Sequence, residues 1–342
     1  MKPLTARSAP ASTRIPARRA ALLAIATIAT ATVALFASPA SAEETALRIG
    51  YQKSSTLMAI LKARGTLAQA LAPLHVTLSW NEFASGLPLT EALNADAVDV
   101  TADVADTVPI FAQAANARFA YFAQEAPSPD AQAVIVHRDG PIHALSDLKG
   151  KRIAVTKAAG SHYFLLAALA QAKLSPGDVR ISYLTPADAR LAFEHDNVDA
   201  WFTWDPYVAS VEQEPGVRVL TRGDGYASYQ RYYLVTTAFA QAHPDLLALI
   251  YRQLADTGRW VKAHPDEAAR ILAPVWGLDT ATVVRANARR SYAVRPVLTQ
   301  HFGEQQAIAT AFLQARLLPR PVDPALAQLW DFERKQMRPA GR

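Results

Sequence analysis

Four short polar stretches in this 342-residue chain combine hydroxyls, amides and glycine in a pattern suited to holding a small anion. The first is Gly50-Tyr51-Gln52-Lys53-Ser54-Ser55-Thr56, set between an apolar run and the helix-type spacing that begins at Leu57. A hydroxyl there can cap the helix by accepting from a free backbone N–H, and the same N–H groups attract an anion through the helix dipole. The second, "VDVTADVADTVPIFAQAA", offers Asp106 or Thr107 as the cap, with Pro109 suited to the first turn. In the third, "IAVTKAAGSHYFLLAALAQA", Gly160 permits a close approach and Ser161 is the expected cap. A fourth is Ala84-Ser85-Gly86, after a strand ending at Trp80. Each alone reads as an ordinary helix cap; together, in one α/β chain, they point to a shared cleft, because ligands in open α/β sheets sit beyond the carboxyl ends of the strands.

The segment "DAWFTWDPY" carries the other candidate. Strand alternation puts Trp201 and Thr203 on one face and Phe202 and Trp204 on the other, so at least one indole is core. Trp204, at the strand's end, is either packing or an apolar wall whose N–H serves as a donor; Trp201 is assigned to packing. No G-x-S-x-G elbow, H-E-x-x-H pair, Walker loop or dinucleotide glycine fingerprint occurs. The eight histidines are scattered, so neither a metal nor a cofactor is expected.

The elements that must position these turns alternate from Leu47 onward. Strand-type runs fall at 47–50, 76–80, 97–100, 119–122, 134–137, 152–156, 179–184, 200–203 and 232–236, with helical patterns such as 57–71 and 164–172 between them. Such alternation predicts crossover units and largely parallel sheets. From Ala238 to Phe332 nearly everything reads as helix. About 300 residues exceed what one core usually serves, and the runs at 134–137 and 232–236 bracket an α/β block. They read as the two crossings of a hinged clamshell. Its first lobe comprises 43–135 and 235–342, with a helical tail, and its second 136–234.

Residues 1–42 read as a cleaved signal peptide: a basic start, an uncharged Ala-rich stretch from Ala20 to Ala37, and Ala40-Ser41-Ala42 as cleavage site. An uncleaved membrane anchor is the other reading of the same stretch. The segment holds five basic and no acidic residues, so the formal charge of +5 belongs to it and the remainder is formally neutral. That removes the case for nucleic-acid binding. The chain has no cysteine, hence no disulfide, no thiol nucleophile and no lipoprotein anchor. The expectation is a periplasmic, monomeric protein.

The stretches "IGYQKSSTLMAILKARGTLAQAL", "WNEFASGLPLTEAL", "DTVPIFAQAA", "DLKGKRIAV", "GSHYFLLAAL", "PADARLAFEHDNVDAWFTWDPYVA" and "FAQAHPDLL" resemble, in order, the periplasmic aliphatic sulfonate-binding proteins of ABC importers. The likeness runs from about Leu47 to Trp330 and is most specific in the Gly-Tyr-Gln-Lys turn and the Trp-Asp-Pro segment. It implies a type II periplasmic binding fold, two α/β lobes joined by two hinge strands, closing on one anion and delivering it to a membrane permease. Carried over by motif, the ligand residues are Gln52, Ser54, Ser55, Thr56, Asp106, Thr107, Ser161, His162 and Tyr163, completed by Ser85, Gly86 and Trp204. Relatives often have a glycine where Ser55 stands and a glycine-bearing run where Ala102 to Ala105 stand. Asp103 and Asp106 would repel an anion unless paired or turned away, and either could select a cationic group on the ligand. Nitrate, taurine and aryl or heteroaromatic sulfur compounds stay open as ligands. Catalysis on the same fold is the reading from another class, but the enzymes compared rely on cysteine.

Overall fold

The computed structural model describes residues 45–330; the expected signal peptide and residues 331–342 lie outside the described residues. The strands are β1 (Thr45–Gln52), β2 (Val76–Phe83), β3 (Val100–Thr101), β4 (Val104–Ala105), β5 (Phe119–Glu125), β6 (Gln132–His137), β7 (Arg152–Val155), β8 (Arg180–Tyr183), β9 (Ala200–Trp204), β10 (Val217–Arg222), β11 (Arg231–Thr236), β12 (Val294–Arg295) and β13 (Gln328–Leu329). Between the strands run α1 (Thr56–Arg64), α2 (Thr66–Leu71), α3 (Gly86–Asn94), α4 (Val108–Ala114), α5 (Gly160–Gln171), α6 (Pro186–Glu194) and α7 (Tyr207–Val211). The carboxyl-terminal third supplies α8 (Thr237–Ala242), α9 (Pro244–Ala263), α10 (Pro265–Trp276), α11 (Thr280–Arg289) and α12 (Phe302–Gln314).

The strands form two sheets. One has the order β12-β5-β11-β3-β1-β2, with β13 against β5 and β4 against β11; the other is β10-β6-β9-β7-β8. Strands 1–5 and 11–13 thus belong to one sheet and 6–10 to the other. The chain changes sheet between Glu125 and Gln132 and again between Arg222 and Arg231. The runs expected to cross between lobes, 134–137 and 232–236, each lie wholly inside one sheet as β6 and β11, and the crossings are the segments just before them.

Both sheets are mixed rather than largely parallel. β1 pairs parallel with β2 and β3, and β7 with β8 and β9. β11 runs antiparallel to β3, β4 and β5, and β6 antiparallel to β9 and β10. The reversed strands are β6 and β11, which follow the two changes of sheet, and the two-residue β12 against β5. A strand entering from the other lobe arrives without the helical crossover that would make it parallel.

Side-chain alternation sorts the layers. Val134 and Val136 face a cluster with Phe164, Leu165 and Phe202, while Ala133 and Ile135 face one with Trp201, Phe193 and Val208. Trp201 is therefore core. In the first lobe, Leu47, Ile49 and Tyr51 pack under α1, α9 and α10, and Tyr121, Tyr232 and Leu234 pack on the opposite face toward α3 and α4. The expected 57–71 helix is broken at Gly65, whose φ of 66° ends α1 in a left-handed cap. No helix among the described residues is long and apolar enough to cross a membrane.

Candidate ligand-binding site

The carboxyl ends of β1, β2, β4, β7 and β9 converge where the lobes meet. A small cavity of about 10 Å³ lies there, lined by Gln52, Gly86, Ala105, Val108, Ala159, Gly160, Trp204, Tyr229 and Arg231. The amino ends of α3, α4 and α5 line it through Gly86, Val108 and Gly160, and helix geometry leaves first-turn N–H groups without an intrahelical acceptor. The two glycines allow this convergence. A Cβ on Gly86 would stand 2.7 Å from Val108 Cγ2, and one on Gly160 would stand 2.7 Å from two ring carbons of Tyr229 and 3.3 Å from Ala105 Cβ.

Of the residues expected from sequence, Gln52, Gly86 and Trp204 line the cavity. Gln52 Nε2 donates to the Asp103 carbonyl at 3.1 Å. Trp204 Nε1 donates to Ser54 Oγ at 3.4 Å, linking the two lobes, and its ring meets Tyr207 edge-on. Several of the remaining residues are engaged elsewhere. Ser55 precedes α1 without capping it; its Oγ turns back to accept from Gln52 N at 3.2 Å, so its extra bulk does not enter the cavity. Thr56 Oγ1 meets the Tyr292 hydroxyl at 2.8 Å. Thr107 Oγ1 donates to the Ala158 carbonyl at 2.5 Å, a second contact between lobes.

The expected caps are corrected in the same way. Ser85 and Thr107 precede α3 and α4 but cap neither with a side chain, and α5 is preceded by Ala159, which puts Ser161 inside the helix. Ser161 Oγ is buried and has no partner among the described residues. His162 turns away from the cavity: its Nδ1 accepts from Ala158 N at 3.2 Å, and its ring meets Tyr183 and Phe312 edge-on. Burial, with Lys157 nearby, lowers its pKa to about 4 and keeps the imidazole neutral. Tyr163 is half-buried and packs between the second-lobe core and α12.

The two aspartates that would repel an anion are accounted for differently. Asp103 is fully buried between two arginines: its Oδ2 lies 2.6 Å from an Arg231 nitrogen and 3.0 Å from an Arg290 nitrogen. Arg290 also reaches Glu125 at 2.7 Å, and Glu125 accepts from the Tyr233 hydroxyl at 2.7 Å. Burial and Arg290 oppose the charge on Arg231, but Asp103, Tyr229 and Glu125 outweigh them and hold the pKa above the ordinary guanidinium value. Asp106 points away from the cavity and accepts from Gln230 N at 3.1 Å. Burial, reinforced by Glu304, pushes its pKa up to about 7.

Sequence reasoning missed Arg231 and Tyr229 altogether. An arginine opening a strand carries no local mark of being buried, because its acid partner lies 128 residues away. An ionic contact also joins the lobes beside Trp204. Arg289, at the end of α11, grips Asp205 through Nε at 2.6 Å and Nη2 at 2.7 Å, and Glu212 through Nη1 at 2.9 Å. No group of three or more His, Cys, Asp or Glu side chains among the described residues is arranged to hold a metal ion.

Two α/β lobes that meet over convergent strand ends and helix openings define a type II periplasmic binding fold. Comparison with known proteins places the chain within that class. Residues 88–268 match the family described as NMT1/THI5 like. An aliphatic sulfonates-binding protein of Escherichia coli strain K12 is 35% identical over 292 residues, covering 85% of this chain and 91% of that protein. Among solved structures, the alkanesulfonate-binding protein SsuA from Xanthomonas axonopodis pv. citri, bound to MOPS, is 34% identical with a TM-score of 0.78, covering 85% of this chain and 99% of that one. The periplasmic aliphatic sulphonate binding protein SsuA from Escherichia coli is 35% identical with a TM-score of 0.74, covering 81% of this chain and 90% of that one. The chain belongs to the aliphatic sulfonate-binding protein family.

Proposed function

We propose that this protein captures an alkanesulfonate between its lobes in the periplasm and delivers it to the permease of an ABC importer. The observation that carries this reading is the convergence of three helix amino ends, the Trp204 indole and the Arg231 guanidinium on one buried cavity. Dipoles and N–H donors suit a sulfonate's oxygens, and the indole suits the carbon attached to its sulfur. At about 10 Å³ the cavity holds no more than a water. Entry of a sulfonate therefore requires the lobes to part, by hinging at residues 126–131 and 223–230. Parting separates Trp204 from Ser54 and Thr107 from Ala158, and rebinding across a ligand gives the permease a distinct state to recognise.

In this reading residues 1–42 are removed on export and the mature chain acts as a monomer without nucleic acid or cofactor. The lobes are those defined by the two sheets. The likeness of the relatives, named for aliphatic sulfonates, supports the choice of ligand. The test is a thermal-shift panel of short to medium alkanesulfonates, taurine and nitrate on the mature protein. A ligand that binds only the folded chain stabilises it by mass action. Alkanesulfonates are expected to raise the melting temperature most. No shift with any of them would remove the assignment, and a larger shift with nitrate or taurine would reassign the ligand.

A further inference from the structure

We infer that Arg231 reads the charge of the ligand, making the site specific for a singly charged organosulfonate over both its neutral sulfonamide and dianionic sulfate. This inference rests on the sulfonate reading above and assigns one residue to its anionic group. Arg231 lines the cavity, yet its side chain is only 2% exposed. One edge of the guanidinium is committed: Nη2 donates to the Asp103 carboxylate at 2.6 Å and to the Asp103 carbonyl at 2.8 Å, and Nη1 donates to the Tyr229 hydroxyl. The Nε–H is buried and has no acceptor among the described residues. A buried donor left alone is costly, and a charged donor held rigidly at a cavity wall suits an oxyanion.

The network behind Arg231 fixes how much charge the site can take. Arg231, Asp103, Arg290 and Glu125 alternate in sign and sum to zero, with the cation Arg231 at the cavity end and Tyr233 closing the other. A monoanion on Arg231 adds one more member to that alternation. A neutral sulfonamide lacks the charge, and a sulfate brings a second negative charge that no further guanidinium in this network meets.

Titration calorimetry of the mature protein with ethanesulfonate, ethanesulfonamide and sulfate tests this directly. The wild-type protein is expected to bind ethanesulfonate at least tenfold tighter than either competitor. Arg231→Gln combined with Asp103→Asn removes one charge of each sign, so the network stays neutral. That double variant, folded by circular dichroism, is expected to lose at least tenfold in ethanesulfonate affinity together with the preference over sulfonamide. A folded double variant that keeps both within twofold would show Arg231 to be structural only. The wild-type ratio requires no variant: equal affinity for sulfonate and sulfonamide overturns the assignment even if the double variant does not fold. Failure of the wild type to bind any alkanesulfonate would instead sink the functional reading, and the role of Arg231 with it.

Discussion

Two buried titratable side chains near the cleft make opposite contributions to the pH dependence of stability. Asp106 has a native pKa of about 7, above its unfolded value, so the native state holds the proton more tightly. Its contribution is full below about pH 4 and is lost as pH rises through 7, a change of up to about 4 kcal/mol. Asp106→Asn keeps an oxygen acceptor for Gln230 N and is expected to melt higher than wild type at pH 8, with the advantage vanishing toward pH 4. His162 behaves inversely, because burial lowers its native pKa to about 4. Its contribution is full above the unfolded value near 6.5 and falls away as the unfolded chain takes up a proton between 6.5 and 4. His162→Gln should flatten the fall in unfolding free energy over that window, as measured by urea titration at several pH values.

Gln52, Gly86 and Trp204 were legible in the sequence because each closes or follows a strand, where polar or aromatic residues have no core to fill. His162 and Asp106 follow other strands of the same cleft but do not line the cavity, and the direction of a side chain there is set by the partner it finds. Gln230 and Ala158 are those partners.

Among elements, α5 and α11 do the work of bringing the lobes together. Gly160 opens α5 against the Tyr229 ring, and Tyr229 is held by Arg231, so the ring has little room to yield. Gly160→Ala is expected to keep the far-ultraviolet circular dichroism of wild type while abolishing most of the thermal shift given by an alkanesulfonate. A full shift in the variant would show that this approach is dispensable. At α11, Arg289 neutralises Asp205, whose pKa is raised by burial against the opposing effect of Arg289 itself. Removing one member of such a buried pair typically costs about 3–5 kcal/mol. Arg289→Met should therefore lower stability at pH 8 by on the order of 3 kcal/mol. The loss should shrink at pH 5, because Asp205 without its partner takes up a proton more readily. Equal losses at both pH values would contradict the role given to the ion pair.

All nine strand-type runs read from the sequence coincide with strands, although 97–100 meets β3 only at Val100. β4, β12 and β13 escaped notice because two residues carry no periodicity. β10, "VRVLTR", alternates but is half-exposed at a sheet edge and carries two arginines, so it does not stand out as a strand-type run. The caps were misread for a shared reason. Ser55 and Thr107 stand where capping hydroxyls belong, but neighbouring backbone groups claim their side chains first.

For the whole molecule, the two-sheet α/β arrangement was legible in the alternation of strand- and helix-type runs. The charge network was not, since Asp103, Glu125, Arg231 and Arg290 come from four distant parts of the chain and meet only when the first sheet is assembled. The same assembly turns two aspartates that would repel an anion into one counter-charge for arginine and one group facing away from the cavity. The most direct measurement is a crystal structure of the mature protein with an alkanesulfonate. The sulfonate is expected between the amino ends of α3, α4 and α5, with an oxygen on Arg231 Nε and the alkyl carbon against Trp204. A sulfonate bound outside the space between the lobes, or none at saturating concentration, would contradict the account.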